Sequence, residues 1–111
     1  MTTAALAHVR SLLFAPGSDP RKLDRALASD ADAVVADLED SVVAAEKGRA
    51  RDVLADLFAS PGAGPGRMVR VNGADTDYFA DDVEAAAAMQ LMALVLPKAT
   101  PDAVRASITS R

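Results

Sequence analysis

The segment Ala33-Val34-Val35-Ala36-Asp37-Leu38-Glu39-Asp40 decides the fold of this chain. Its first four residues are continuously apolar rather than alternating, which is typical of a strand buried on both faces of a parallel sheet. Carboxylates follow immediately at Asp37, Glu39 and Asp40. Acidic side chains at the carboxyl end of such a strand lie where α/β folds build their active sites. We therefore expect a divalent cation, a general base, or residues that support either one.

Strand and helix candidates alternate on both sides of this segment. The predicted strands span residues 9–14, 33–36, 67–71 and 91–96. Helices are predicted after the Pro16–Pro20 turn, over residues 44–59, over residues 81–89 and from residue 100 to the end of the chain. Ser18 or Asp19 can cap the first helix, with Pro20 in its tolerated first position.

Four consecutive strand–helix units without a hairpin signal imply parallel strands joined by right-handed crossovers. A four-stranded open sheet and half of a (β/α)₈ barrel both fit this order. Chain length favours the half-barrel, because a full barrel needs about 250 residues and this chain has 111. We therefore predict an α/β fold in which residues 1–111 form a single partial domain, the N-terminal half of a TIM-type barrel. The edges of the first and fourth strands would then be unpaired, which favours self-association.

Composition excludes several classes of function. The net charge of −4 and the absence of a basic, aromatic stripe argue against a nucleic-acid partner. The chain has no cysteine, which excludes disulfides, thiolate zinc sites and a cysteine nucleophile. No apolar run approaches the length of a membrane span, and the first ten residues carry no cleavage signal, so we expect a cytoplasmic protein without a membrane partner.

Every predicted strand ends in residues that can do chemistry. The four strand ends read Pro16-Gly17-Ser18, Asp37-Leu38-Glu39-Asp40, Arg70-Val71-Asn72-Gly73 and Pro97-Lys98. Because parallel strands place their carboxyl ends at one edge of the sheet, these groups should meet at a functional rim. The Pro-Gly-Ser turn is either a plain helix entry or a cradle for an anion.

Arg70 is the cation of this rim that most needs a partner. Strand alternation points it into the barrel interior, where a buried guanidinium requires an anion. That anion could be Glu39 or Asp40, or it could be a substrate carboxylate. Lys98 could either belong to the site or solvate a loop. The charges on the second predicted helix are expected to lie mostly on its wet face: Glu46, Lys47, Arg49 and Arg51.

Four motifs in order carry a family resemblance. They are Leu13-Phe14-Ala15-Pro16-Gly17-Ser18, Asp37-Leu38-Glu39-Asp40-Ser41-Val42, Arg70-Val71-Asn72-Gly73-Ala74-Asp75-Thr76 and Leu96-Pro97-Lys98. Together they resemble the HpcH/HpaI aldolase and citrate lyase beta subunit superfamily, especially its CoA-ester lyases. The resemblance implies a TIM-type barrel and reversible C–C cleavage of a hydroxyacyl-CoA or a related oxo or hydroxy acid. It also implies a homo-oligomer in full-length form and a bound Mg²⁺ that stabilises an enolate as a Lewis acid.

The resemblance also implies roles for individual residues. Arg70 resembles the arginine that grips the substrate carboxylate by a bidentate contact. Glu39 and Asp40 resemble an acidic pair beneath the metal, in contact with its waters. Asp37, Asn72 and Lys98 are further candidates for the site. The strand-one edge that meets substrate and CoA corresponds to Phe14, Pro16, Gly17 and Ser18, and Arg25 falls where a basic residue can face CoA phosphates.

Two departures from the family pattern affect these expectations. Asp19 stands where relatives often have arginine, and an acid there would repel CoA phosphates. The family's direct metal ligands, a Glu and an Asp, come from strands five and six and are expected beyond Arg111. We therefore expect this chain alone to be inactive. The alternative is a non-catalytic half-barrel module that assembles with a complementary chain. A free-standing flavodoxin-like nucleotide binder is disfavoured, since its phosphate loop would need more glycine.

Overall fold

A computed structural model describes residues 9–60 and 62–97 of the chain. Within them, four parallel strands form one sheet in the order β1-β2-β3-β4. The strands are β1 (Leu12–Pro16), β2 (Ala33–Asp37), β3 (Gly66–Arg70) and β4 (Ala93–Val95). The predicted parallel α/β sheet is therefore confirmed.

Helices connect successive strands. They are α1 (Pro20–Leu27), α2 (Lys47–Leu57), which follows a 3₁₀ turn at Ala44–Glu46, and α3 (Phe79–Ala87). Asp19 caps α1 by accepting a hydrogen bond from the Lys22 backbone N–H at 3.1 Å, and Pro20 occupies the first turn. This capping arrangement follows from the sequence as predicted. The helix predicted from residue 100 onward lies outside the described residues.

The two faces of the sheet have different surroundings. Val34 and Ala36 of β2 belong to the main core, together with Leu23 of α1 and Leu54 of α2. Ala33 and Val35 point the other way and join a smaller apolar cluster with Met68 and Ala93. All five residues of β2 are buried, which explains why its sequence is continuously apolar until Asp37.

The predicted boundaries differ from the observed ones most clearly at β1. This strand begins at Leu12 rather than at residue 9 and continues to Pro16. The backbone N–H groups of Arg10 and Ser11 donate to the Asp32 carboxylate, and the Ser11 carbonyl accepts a hydrogen bond from the Ala33 N–H at 3.2 Å. Leu12 is also the first residue with a partner in β2, Ala33. The start of β2 therefore sets the start of β1.

Other boundaries shift by a few residues. The helix predicted over 44–59 is a 3₁₀ turn followed by an α-helix that ends at Leu57. The third helix runs from Phe79 to Ala87 rather than over 81–89, and β4 covers only Ala93–Val95 of the predicted 91–96. These differences lie at element ends, where local signals are weakest.

The sheet face opposite the helices is partly open along β1. Leu12 and Phe14 pair in register with Ala33 and Val35, so they share that face. Their relative exposures are 47% and 55%. In the described part of the chain, β1 and β4 each have a strand neighbour on one side alone, as expected for an incomplete barrel. None of the helices in residues 9–60 and 62–97 is long and apolar enough to cross a membrane.

Gly17 is required by a close approach of two strand ends. Its backbone N–H donates to the Asp37 carbonyl at 2.7 Å, and an added Cβ would lie 2.8 Å from that same oxygen. Gly48, near the start of α2, has open space around the equivalent position. Gly48 therefore serves as the control position for a substitution at Gly17.

We expect Gly17→Ala to lower the free energy of unfolding by about 2 kcal/mol, because the methyl group would force β1 and β2 apart. Gly48→Ala should instead raise it by about 0.5 kcal/mol through a better helix propensity. Urea unfolding of the wild type and both variants measures these changes in the free energy of unfolding. Equal effects of the two substitutions would contradict the close approach at Gly17.

Candidate carboxylate-binding site at the sheet edge

The carboxyl ends of three strands meet at one level of the sheet. Pro16 pairs in register with Asp37, and Asp37 pairs with Arg70. Paired residues of parallel strands point to the same side, so these side chains share the face opposite the helices. The predicted convergence of strand ends thus brings a carboxylate and a guanidinium together.

Asp37 is the most heavily engaged of these groups. Its two carboxylate oxygens accept hydrogen bonds from Arg70 Nε at 2.8 Å and Arg70 Nη2 at 2.9 Å. They also accept from the Glu39 N–H, the Ser41 N–H and the Ser41 hydroxyl. Burial would raise the pKa of Asp37, but these hydrogen bonds outweigh it and hold the pKa well below its usual range.

Arg70 is held on one edge and covered on one face. Its side chain is 23% exposed, and Glu39 Oε1 lies 3.5 Å from Nε. The Phe14 ring centroid lies 5.3 Å from the guanidinium carbon, a cation–π distance. In residues 9–60 and 62–97, no protein acceptor is hydrogen-bonded to Nη1. One edge of the guanidinium is therefore saturated, and the Nη1–Nη2 edge has capacity for another acceptor.

The partner of Arg70 is a correction to the sequence-based expectation. From the sequence, the anion that pairs with Arg70 could be Glu39, Asp40 or a substrate carboxylate. The structure gives the bidentate contact to Asp37, with Glu39 as a longer ion pair. Asp37 is the last residue of β2 and pairs in register with Arg70 of β3. This register places the Asp37 carboxylate, rather than that of Glu39 or Asp40, directly beside the guanidinium.

An open cavity of about 460 Å³ lies against this pair. Its walls combine the end of β1, the end of β2 with its following loop, and the end of β3. The lining residues are Phe14, Ala15, Pro16, Asp37, Asp40, Ser41 and Arg70.

Five predicted site residues that the structure describes do not line the cavity: Gly17, Ser18, Arg25, Glu39 and Asn72. Gly17 directly follows β1 and is buried, and the Ser18 carbonyl accepts a hydrogen bond from Arg49. Arg25 is exposed on α1. Asn72 is buried on the helix side of the sheet edge, where its side chain contacts Lys47. Lys98 lies outside the described residues. The functional roles of all these residues remain predictions.

No group of three or more acidic or histidine side chains with suitable geometry occurs in residues 9–60 and 62–97. Both oxygens of Asp37 already accept hydrogen bonds within the chain. Glu39 and Asp40 are the remaining carboxylates of the rim, and a Mg²⁺ ion held by one or two carboxylates completes its coordination with water or substrate oxygens.

A second polar network lies on the helix side of the edge. Lys47 Nζ donates to the Leu38 and Glu39 carbonyls and to Asn72 Oδ1. Asn72 in turn donates from its backbone N–H and its amide to Asp82. Asp82 is fully buried and also accepts a hydrogen bond from Arg51 at 3.0 Å.

The expectation that Lys47 and Arg51 lie on a wet helix face is therefore wrong. Lys47 is 8% exposed, and the Arg51 side chain is 21% exposed. The sequence did contain a signal for Lys47: it precedes Ala50 by three residues and Leu54 by seven, which places it on the buried stripe of α2. The charge of a side chain therefore did not predict whether that side chain is exposed on this helix.

We expect Asp37→Asn to destabilise the chain by about 2 kcal/mol at neutral pH, because Arg70 loses a charged partner. The folded pKa of Asp37 is below its unfolded value of about 3.9, so its stabilisation is complete above about pH 5 and declines as the pH falls. The difference in unfolding free energy between wild type and Asp37→Asn should therefore shrink on acidification.

Urea titrations across this acidic range measure that difference. Asp52→Asn is the matched control, because Asp52 is an exposed carboxylate on α2. A wild-type-to-Asp37→Asn difference that is independent of pH would contradict a strongly hydrogen-bonded Asp37 carboxylate.

Comparisons with known proteins agree with the family resemblance of the sequence motifs. The family model HpcH/HpaI aldolase/citrate lyase matches residues 10–109. A (3S)-malyl-CoA thioesterase from Cereibacter sphaeroides is 43% identical over 90 residues, which are 80% of this chain and 32% of the relative. The citrate lyase subunit beta of Leuconostoc mesenteroides is 33% identical over 80% of this chain and 30% of its own length.

Solved structures give the same result. The citrate lyase beta subunit of Mycobacterium tuberculosis, complexed with oxaloacetate and magnesium, superposes with a TM-score of 0.71 at 37% identity. The alignment covers 85% of this chain and 41% of that protein. This chain thus spans less than half the length of each of these relatives and matches part of a TIM-type protein, as the sequence predicted. The chain belongs to the HpcH/HpaI aldolase/citrate lyase family.

Proposed function

We propose that this chain supplies the substrate-anchoring part of a Mg²⁺-dependent carbon–carbon lyase. Its substrate would be a hydroxyacyl-CoA or a related oxo or hydroxy acid that carries a free carboxylate. The observation that carries the proposal is the geometry of Arg70, which binds Asp37 through the Nε–Nη2 edge of its guanidinium and is one of the residues that line the cavity.

A guanidinium can hold two carboxylates because its donors form more than one fork. Asp37 occupies the Nε–Nη2 fork of Arg70. The Nη1–Nη2 fork matches the spacing of a second carboxylate, which it would bind by two parallel hydrogen bonds. Asp37 and Phe14 fix the plane of the guanidinium beforehand, which lowers the ordering cost of substrate binding.

The relatives support a substrate of this class. Their names include a malyl-CoA thioesterase and a citrate lyase subunit, and one solved relative holds oxaloacetate and magnesium. Malyl, citrate and oxaloacetate groups all carry a free carboxylate beside a hydroxyl or oxo carbon. In this proposal, Phe14 and the Pro16–Ser18 turn meet the substrate, and Arg25 faces CoA phosphates.

The metal would need ligands besides those described here. Glu39 and Asp40 are suited to accept hydrogen bonds from metal-bound water, as carboxylates at a sheet edge. No group of three or more acidic or histidine side chains that could hold a metal ion occurs in residues 9–60 and 62–97. We propose that the 111-residue chain binds a carboxylate but does not turn over an acyl-CoA.

Arg70→Lys tests the anchor. Lysine keeps the positive charge but lacks the fork, so we expect malate to bind about tenfold more weakly. Arg67→Lys is the matched control on the same strand, because Arg67 donates to the Ser60 carbonyl at the opposite end of β3. NMR titration with malate measures both affinities. The anchor is refuted if both variants bind malate as tightly as the wild type.

An assay with malyl-CoA and Mg²⁺ tests the expected inactivity of the chain. Release of an aldehyde acid would report C–C cleavage, and release of free CoA thiol would report the thioester hydrolysis named for one relative. We expect neither product above the uncatalysed rate. Turnover that Arg70→Ala abolishes would overturn the proposal that this chain only anchors substrate.

A second candidate function is that of a non-catalytic half-barrel module that assembles with a complementary chain. The observation that favours it is the exposure of Leu12 on the face opposite the helices, beside an edge of the sheet. Burial of this apolar surface by further strands would stabilise a complex.

Leu12→Glu should abolish binding to a family polypeptide that holds the remaining strands, since a charge would be buried in the interface. Val43→Glu is the control, because Val43 is 68% exposed but follows β2 in a loop. Analytical ultracentrifugation of the wild type and of each variant, mixed with that polypeptide, shows which of them form a complex. If the wild type forms no complex, or Leu12→Glu binds as well as Val43→Glu, this second function is excluded.

A further inference from the structure

Lys47 is a buried cation whose donors are all used at the sheet edge. Its Nζ lies 2.9 Å from the Leu38 carbonyl, 3.0 Å from the Glu39 carbonyl and 2.8 Å from Asn72 Oδ1. An ammonium group has three N–H donors, so this set satisfies it completely. Two of the three acceptors are consecutive backbone carbonyls directly after β2.

The same segment is held from its other side by the carboxylate of Asp37. That carboxylate accepts from the Glu39 N–H and from the Ser41 N–H, each at 2.9 Å. Asp37 also holds Arg70, and Glu39 Oε1 lies 3.5 Å from Arg70 Nε. The β2 loop, residues 38–41, therefore lies between Lys47 on the helix side and the Asp37–Arg70 pair on the cavity side.

Asn72 connects Lys47 to the end of β3. Its amide donates to the Leu38 carbonyl at 3.0 Å and to Asp82, while its Oδ1 accepts from Lys47. Asp82 is paired in turn with Arg51. The position of the β2 loop relative to β3, which carries Arg70, is thus fixed by side chains whose polar groups are buried and paired.

We propose that Lys47 is a positioning residue for the carboxylate anchor. It acts through the β2 loop, holding Glu39 and the Asp37-bonded amides in place, so that Asp37 stays on the Nε–Nη2 edge of Arg70 and leaves the Nη1–Nη2 edge for a ligand. The proposal rests on the proposed function, because the anchor is Arg70. It assigns a role in ligand binding to a helix residue that does not line the cavity.

Lys47→Met tests this proposal, with Lys22→Met on α1 as the control, because Lys22 is an exposed lysine. Amide hydrogen exchange gives the first readout. Loss of the ammonium should speed exchange at the Glu39 and Ser41 amides by about tenfold relative to Val35 in the centre of β2. A merely structural loss of stability would speed exchange at all three amides alike and would overturn the proposal.

Malate affinity gives the second readout. We expect Lys47→Met to weaken malate binding by about tenfold while Lys22→Met leaves it unchanged, as for other residues that orient a binding group. Unchanged binding in Lys47→Met would overturn the proposal. If the wild type itself binds no malate, the proposed function fails, and the exchange comparison alone decides whether Lys47 positions the loop.

A measurement on the wild type covers the case in which Lys47→Met does not fold. Coupling between two sites is reciprocal, so malate at Arg70 must reinforce the loop that Lys47 holds. Saturation with malate should then slow exchange at the Glu39 and Ser41 amides and shift the ¹⁵N resonance of the Lys47 ammonium. If bound malate changes neither quantity, Lys47 has no positioning role.

Discussion

The two hydrogen bonds between Asp37 and Arg70 are the interaction on which the sheet edge depends. The residues are register partners at the last rung between β2 and β3, so backbone pairing and side-chain pairing reinforce each other. Asp37 also gathers the Glu39 and Ser41 amides, which folds the chain back after β2. One buried carboxylate therefore sets the plane of the guanidinium and the path of the loop beside it.

This arrangement limits how an anion can be recognised. Asp37 and Glu39 form ion pairs with the Arg70 guanidinium, and the negative charge of Asp40 adds to theirs, so the positive charge of Arg70 is largely compensated by the chain itself. A ligand carboxylate would be selected by the direction and spacing of the remaining N–H groups more than by net attraction. Hydrogen bonds fixed in advance by Asp37 suit that task, since little ordering is needed on binding.

Much of the fold was predictable because its local signals agree with one another. The continuously apolar run 33–36 is typical of a buried strand, and Ser18-Asp19-Pro20 marked the start of α1. The convergence of strand ends followed from parallel topology. The identity of the Arg70 partner did not, because it depends on the register between two strands that are far apart in sequence. Lys47 was missed because a charge was assumed to be solvated, although its spacing to Leu54 placed it on the buried face.

The central claim is that Arg70 can bind a ligand carboxylate without releasing Asp37. A crystal structure of the 111-residue chain with malate tests it most directly. We predict a malate carboxylate about 2.8 Å from Arg70 Nη1 and Nη2, while Asp37 keeps its contacts to Nε and Nη2. A malate carboxylate that displaces Asp37 from Arg70, or that binds elsewhere on the chain, would contradict this account.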